Sequence, residues 1–340
     1  MHILARRTFR SSLTVALSLA IAYGAALPLP FIAPLLAASI SLIPGPPMGL
    51  KSLFGLILIT MLTLGLGLFV TPVLQNYPLT GVLVVAVGVY LSTYLSVSKG
   101  QALVGTLLTV GFTIIPAAGI YSFGLALDLV LALALGMAIA VLSLWLVYPL
   151  VPEDPGTVVQ KPVYETPEHA NWIALRVALI VLPPFLLALT NPSLYLKLIM
   201  KSVLLGQQGS VLNARNAGRE LLGSTFLAGI AASLFWLVLK LSPTLWMFSL
   251  WMLLFVTFFV AKIMGVIATR YSASFWQNVI VTMLILLGSA VQDSANGDDV
   301  YRAFATRMAM FIGVTLYAWG AVFVLENWRE ARLASQTRLS

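Results

Sequence analysis

Long apolar stretches separated by short polar connections fill nearly the whole chain. Twelve stretches can be drawn, and most are close to the roughly 20 residues that a membrane-spanning helix needs. They cover residues 11–27, 31–43, 52–70, 79–95, 102–118, 127–148, 171–190, 193–206, 220–240, 244–262, 275–291 and 304–326. Their apolar residues run continuously instead of alternating with a period of two, which favours helices over a β-barrel. The pattern predicts an all-α, polytopic membrane protein.

The composition agrees with this pattern. Hydrophobic residues make up 60% of the 340 positions and charged residues 9%, whereas soluble domains carry roughly 25% charged residues. Mean hydropathy is +0.99. There is no cysteine, which excludes disulfides, thiolate metal sites and cysteine nucleophiles.

The first six stretches and the last six share an order of features. Each set opens with an arginine, Arg10 or Arg176, followed by a proline-marked break and an unusually short segment, 31–43 or 194–206. Each third helix is expected to end in a proline turn, at Thr71-Pro72 or Ser242-Pro243. This order predicts an internal repeat.

The predicted domains follow from the repeat. A first six-helix repeat covers 1–148 and a second covers 171–330. A cytoplasmic linker, 149–170, joins them, and a cytoplasmic tail occupies 331–340. Because each repeat has an even number of segments, the two repeats are expected to be parallel.

The basic residues predict the orientation. On the six-plus-six count, most lysines and arginines fall on one side, while the opposite side holds several aspartates with only Lys240 and Arg302 as basic residues. The predominantly basic side holds Arg6, Arg7, Arg10, Lys51, Lys99, Lys161, Arg176, Arg215, Arg219, Lys262, Arg270, Arg329, Arg332 and Arg338. This positive-inside pattern predicts cytoplasmic termini, and it accounts for the net charge of +8 without nucleic acid. The start, Arg6-Arg7-Thr8-Phe9-Arg10, also fits an export signal, but a retained first helix is favoured because the second half starts alike.

Two lysines interrupt the short segment of the second half. Lys197 and Lys201 are one helical turn apart and therefore share a helix face. A cation at membrane depth costs from about 2.5 to more than 10 kcal/mol, which makes it a candidate functional residue. Three interpretations stay open: binding of a substrate carboxylate in a cavity, structural pairing with Asp128 or with carbonyls of a broken helix, and outward snorkelling.

Two further charged residues complete the candidate site. Arg307 lies in the last helix near its outer end, where it is a candidate third cation for the substrate. Asp128 begins the sixth segment on the same side and is a candidate coupling or ion-pair residue.

The motifs of enzymes are absent from the sequence. Its two histidines, His2 and His169, lie at the terminus and in the linker, and there is no HExxH, nucleophile elbow or Walker A loop. The stretch 293–299 resembles a weak calcium-loop fragment without the terminal glutamate, and we expect it to be an exposed acidic loop. We expect no catalytic activity, no metal and no cofactor.

Several of these features together resemble a known family. The chain resembles the fusaric acid resistance protein family in three features. These are the arginine before each first helix, the break before Pro30-Phe31, and the glycine-bracketed stretches Gly49–Gly55 and Gly218–Gly223. Its aromatic acid exporter relatives include p-hydroxybenzoate efflux pumps. The resemblance implies an inner-membrane exporter of aromatic or other organic acids that works with a periplasmic adaptor of the membrane-fusion type. It also implies a distant relation to plant anion channels.

The chain departs from the larger members of that family, which carry a sizeable cytoplasmic domain after each half. We expect an efflux transporter for organic anions, with aromatic carboxylic acids as the substrate class. The expected partners are membrane lipid, the small anion, the periplasmic adaptor and further copies of the chain in a homo-oligomer. The alternatives are a passive anion channel and a non-transporting membrane subunit that anchors an adaptor protein.

Overall fold

All regular secondary structure in the described part of the chain is helical. The computed structural model describes residues 3–153, 166–191, 199, 201, 203, 214–297 and 299–337. Eleven helices have their bounds within these residues, which confirms the all-α prediction. They are α1 (Ile3–Gly24), α2 (Ile32–Ser41), α3 (Leu50–Asn76), α4 (Pro78–Ser98), α5 (Ala102–Tyr121), α6 (Phe123–Val147), α7 (Pro167–Thr190), α8 (Ala214–Leu239), α9 (Leu245–Ile263), α10 (Ala273–Asn296) and α11 (Val300–Thr337).

Nine of these described helices are long and apolar enough to cross a membrane. They are α3 to α7, α9, α10, and the parts Glu220–Leu239 of α8 and Val300–Arg329 of α11. Large apolar side chains on their outer faces stay uncovered, such as Phe54, Phe69 and Leu79, which are 70%, 76% and 84% exposed. Such surfaces suit contact with lipid. The protein is therefore a multi-pass membrane protein.

The first helix differs from the apolar span predicted at 11–27. It begins eight residues earlier, at Ile3, and takes up Arg6, Arg7 and Arg10. Its buried face carries hydroxyls, including those of Ser12, Thr14 and Ser18, each bonded to a carbonyl within its own helix. The arginines and hydroxyls lower the hydropathy of α1, which is not among the nine candidate spans. The predicted stretch 11–27 is confirmed as part of a helix, although this helix ends three residues earlier, at Gly24.

The break after α1 is strained, and the helix that follows it is short. Ala26 and Leu29 have φ values of 49° and 51°, a region that residues with a Cβ rarely enter. The 10 residues of α2 reach roughly 15 Å, about half the thickness of the hydrocarbon core. The prediction of a short second segment is confirmed. The short eighth segment, 193–206, lies outside the described residues except for positions 199, 201 and 203.

The expected end of the third helix at Thr71-Pro72 was wrong. Helix α3 continues through Pro72 to Asn76, and the Asn76 amide donates a hydrogen bond of 2.8 Å to the Pro72 carbonyl. By contrast, the turn before Ser242-Pro243 is confirmed, because α8 ends at Leu239. A proline within an apolar segment therefore did not mark the helix end reliably.

The helices form two compact units. Unit 1 consists of Met1–Leu62, Leu127–Lys161 and Ser224–Met308. Within it, α1 packs against α2 and α9, and α10 packs against α9 and α2. Gly288 of α10 lies directly against the Phe31 ring, so that no Cβ fits between them. This contact holds the start of α2 against the most buried spanning helix.

Unit 2 consists of Thr63–Ala126, Pro162–Gly223 and Ala309–Ser340. Within it, α4 packs against α5 and α7, and α5 also contacts α7. Helix α7 passes through Pro183 and Pro184. Because Pro183 has no N–H, the Leu179 carbonyl lacks its usual helical donor, and the Tyr317 hydroxyl donates to this carbonyl instead, at 2.8 Å.

The same order of helix pairs occurs inside each unit. The predicted segments of each half are counted here, so that 193–206 is the second segment of the second half. In unit 1, α1 is the first segment of the first half and packs on α9, the fourth segment of the second half. Helix α9 in turn packs on the fifth, α10. In unit 2 the first helix of the second half, α7, packs on the fourth helix of the first half, α4, which packs on the fifth, α5. An internal repeat would produce this recurrence. The repeats and their boundaries at 1–148 and 171–330 stay predictions.

Candidate functional site

Lys201 is enclosed by protein. It is helical and 0% exposed, as are its neighbours two positions away, Ile199 at 0% and Val203 at 1%. In a helix, Ile199 and Val203 share one face and Lys201 lies on nearly the opposite face. The described positions of the segment are therefore covered on both sides, and the Lys201 side chain is not accessible at the protein surface. Lys197 lies outside the described residues.

Arg307 is held by a carboxylate that sequence reasoning did not assign to it. In unit 1 it forms a two-pronged ion pair with Asp293 of α10, in which Nη2 donates to Oδ1 at 2.6 Å and Nη1 donates to Oδ2. Asp293 is 7% exposed. A substrate that used Arg307 would have to compete with this carboxylate. Asp128 is exposed near the start of α6.

The acidic stretch 293–299 was wrongly expected to be an exposed loop throughout. Residues 293–296 are the last turn of α10, which ends at Gly297 with a left-handed φ of 78°. This tight turn returns the chain into α11 and brings Arg307 back to Asp293. In the sequence, the signal for this turn was Gly297, because a new apolar helix begins three residues after it.

Two arginines of α1 share a glutamate of the linker. In unit 1, Glu153 accepts from Arg7 Nε at 2.5 Å and lies 2.5 Å from Arg10 Nη1. The Arg10 guanidinium also lies over the Tyr148 ring, 5.6 Å from its centre. Burial by itself raises the pKa of the Glu153 carboxyl, but the hydrogen bonds and charges of the two arginines outweigh it, so its pKa lies below its ordinary value.

An equivalent pair occurs in unit 2. Arg176 of α7 forms an ion pair with Glu326 of α11, and the Trp172 indole N–H donates to the same carboxylate at 3.1 Å. Arg176 and Arg10 are 4% and 2% exposed. In each half the arginine of the first helix is therefore bound by a glutamate that lies just after the last helix of that half, Glu153, or within it, Glu326. The sequence marked the two arginines but not their partners.

A buried polar cluster joins α8 to α10 in unit 1. The side-chain amide of Asn278 donates to the Ser224 hydroxyl, and the Thr282 hydroxyl donates to Oδ1 of Asn278 at 3.4 Å. All three side chains are at most 1% exposed. Hydrogen-bonding groups at this depth are costly unless they are satisfied or functional.

Unit 2 holds an apolar cavity of about 350 Å³ beside the two prolines of α7. Pro183, Pro184, Met310, Gly313 and Tyr317 are among its lining residues, none of which is charged. Such a space suits an apolar ring or chain more than a free carboxylate. Among the described residues there is no group of three acidic, histidine or cysteine side chains that could hold a metal ion.

One family model matches the chain. It is described as "Protein of unknown function (DUF2955)" and matches residues 7–147. The matched range ends at the last residue of α6, Val147, and so covers the six helices of the first half. No curated protein and no solved structure matches the chain.

Proposed function

We propose that this protein is an inner-membrane efflux transporter for organic anions, with aromatic carboxylic acids as its substrate class and a periplasmic membrane-fusion adaptor as its partner. The observation that carries the proposal is the complete burial of Lys201 within a chain of spanning helices. Burial of an ammonium group is expensive, and an anionic substrate bound beside it would add to the stabilisation that its contacts within the protein supply. Lys197 belongs to the same proposed site by its spacing in the sequence.

The family match over residues 7–147 is compatible with a membrane transporter, and it names no substrate or partner. Unit 1 separately holds buried hydroxyl and amide groups on α8 and α10, of the kind that a polar substrate could use.

The test compares aromatic acid export by the wild type and by Lys201→Met, which keeps the length of the side chain and removes its charge. A hydrogen bond to a charged group is worth about 1.5–3 kcal/mol, so we expect export to fall by about 10-fold to 100-fold. Export is measured as resistance of a deletion strain to a panel of aromatic acids and as flux from loaded vesicles. Lys240→Met is the matched control, because Lys240 is exposed after α8.

Each other outcome would contradict a defined part of the proposal. Unchanged flux in Lys201→Met, with normal expression, would remove the lysine from the site. Single-channel conductance in a planar bilayer without dependence on a proton gradient would identify a passive anion channel. If adaptor binding occurred with no flux of any tested acid, the protein would be a non-transporting subunit.

A further inference from the structure

One end of unit 2 carries a positive aromatic cluster that the proposed transport function does not use. It consists of His169 and Trp172 in the first turns of α7 and Trp328 and Arg329 at the end of the spanning part of α11. The two indole rings stack with their centres 6.2 Å apart and a tilt of 24°. The Arg329 guanidinium lies over the Trp172 ring, 5.6 Å from its centre.

The position of this cluster is that of a membrane surface. Both spanning stretches, Pro167–Thr190 and Val300–Arg329, have one of their ends here. Tryptophan is enriched at this depth because its ring is apolar while its N–H is polar. Trp328 is 48% exposed and so extends toward the region that lipid headgroups occupy.

The charges in the cluster do not balance. Arg176 pairs with Glu326, and Arg329 lies over the Trp172 ring whose N–H binds the same carboxylate, so two cations that repel each other share the surroundings of one anion. The carboxylate beside them, Glu326, is engaged by Arg176 and by the Trp172 N–H. Within the described part of the chain, Arg329 itself makes no ion pair. An added anion would relieve the repulsion.

Hydrogen-bond donors are available for such an anion. Arg329 donates one N–H to Nδ1 of His169 at 3.1 Å, out of the five that a guanidinium has. Because Nδ1 accepts this bond, the neutral imidazole carries its proton on Nε2 and can donate there. The Trp172 ring fixes the guanidinium plane, and a fixed guanidinium fork binds phosphate oxygens in pairs.

We propose that His169, Trp172 and Arg329 form a binding site for the phosphate of an anionic phospholipid. The phosphate accepts from the Arg329 guanidinium and from His169, while Trp328 packs against the glycerol and the first carbons of the acyl chains. Lipid is favoured over a small solute because the exposed indole supplies an apolar contact that free phosphate could not use.

The experiment measures thermal unfolding and lipid retention of the purified full-length protein in detergent. Phosphatidylglycerol is compared with phosphatidylcholine of the same acyl chains, and inorganic phosphate forms a third arm. One basic residue near an anionic surface contributes about 1 kcal/mol, so we expect phosphatidylglycerol to bind at least about fivefold more tightly than phosphatidylcholine. Arg329→Gln should abolish this preference, and Arg329→Lys should restore part of it because it keeps the charge but not the fork.

Arg270→Gln is the matched control, since Arg270 is an exposed arginine of unit 1. His169→Gln keeps a donor and tests the site without changing the arginine. Equal preference for phosphatidylglycerol in Arg329→Gln and in the wild type would overturn the proposal, and so would binding of inorganic phosphate as tight as that of the lipid. None of these readouts depends on transport, so they stand or fail independently of the proposed exporter function.

Discussion

At the scale of single residues, buried arginines are the most consequential groups. Arg10 and Arg176 are nearly inaccessible, and an arginine does not lose its proton to escape burial. Each therefore depends on its glutamate, Glu153 or Glu326. Removing one partner of a buried pair typically costs about 3–5 kcal/mol, because the remaining charge is left unpaired.

The pH dependence of stability should report Glu153. Its pKa is lowered below the ordinary value of 4.5 in the folded state, so its contribution to stability is fully present above about pH 4.5 and is lost as the pH falls through the lowered pKa. Thermal unfolding in detergent between pH 7 and pH 3 should show a loss of stability at the acidic end. The variant Glu153→Gln should be less stable by roughly 3 kcal/mol at pH 7 and should lose this part of the pH dependence.

Glu168→Gln provides the control for that experiment, because Glu168 is exposed at the start of α7. It should leave both the stability at pH 7 and the acidic transition close to those of the wild type. If Glu153→Gln kept the full acidic transition, another group would be responsible for it.

Sequence reasoning found the unusual cations but not their partners. Lys201, Arg10 and Arg176 were visible because a charge in or beside an apolar stretch stands out locally. Asp293 and Glu153 were not, because each lies in a polar stretch that resembles a solvated loop or linker. The turn at Gly297 brings Asp293 to Arg307, and the end of α6 brings Glu153 to the arginines of α1. Both approaches depend on how the helices pack, which the local sequence does not show.

At the scale of elements, close approach of helices depends on glycine. Gly67 of α3 and Gly111 of α5 lie so near each other in unit 2 that a Cβ on Gly67 would overlap the Gly111 carbonyl. A Cβ on Gly111 would in turn overlap the Thr63 carbonyl. Small residues of this kind allow backbones in membranes to approach and gain van der Waals contact.

Gly111→Ala should therefore destabilise unit 2. The added methyl group meets backbone, which cannot rotate away, and we expect a cost of about 1–3 kcal/mol. The measurement is thermal or denaturant unfolding in detergent micelles. Gly320→Ala is the matched control, because nothing lies within 4 Å of a Cβ built there. In that case alanine should be neutral or stabilise the helix by about 0.5–1 kcal/mol, and equal effects of the two changes would contradict the assigned contact.

The long apolar runs made the spanning helices predictable, since length and hydropathy are local properties. Helix ends at prolines were less predictable, because a helix can continue through proline when the chain nearby supplies other hydrogen bonds. Helix α3 continues through Pro72, and helix α7 continues through Pro183, where the Tyr317 hydroxyl supplies the replacement bond. The hydroxyls of α1 lowered its apolar character, and its burial depends on α2 and α9.

At the scale of the whole molecule, the orientation of the chain is open to direct measurement. The basic residues predict that Lys99 and Lys240 lie on opposite sides of the membrane. The absence of native cysteine lets a single introduced thiol report its side without background. In intact cells, an impermeant maleimide should label Lys240→Cys and not Lys99→Cys.

Both cysteine variants should be labelled after the membrane is permeabilised, which controls for access. Labelling of Lys99→Cys in intact cells would reverse the predicted orientation. Labelling of both variants before permeabilisation would contradict the predicted number of crossings between α4 and α8.

The division of the helices into two units could not be predicted from the sequence. The local pattern of apolar residues does not determine which helices pack against one another.

The pairing of α1 with α9 also has a consequence for synthesis. More than 200 residues separate the end of α1 at Gly24 from the start of α9 at Leu245. At roughly 5–20 residues per second, the ribosome needs roughly 10–40 s to make that interval. During this time the nascent α1 has no α9 to pack against. The protein is therefore expected to depend on the insertion machinery, or on a temporary companion helix, until translation is nearly complete.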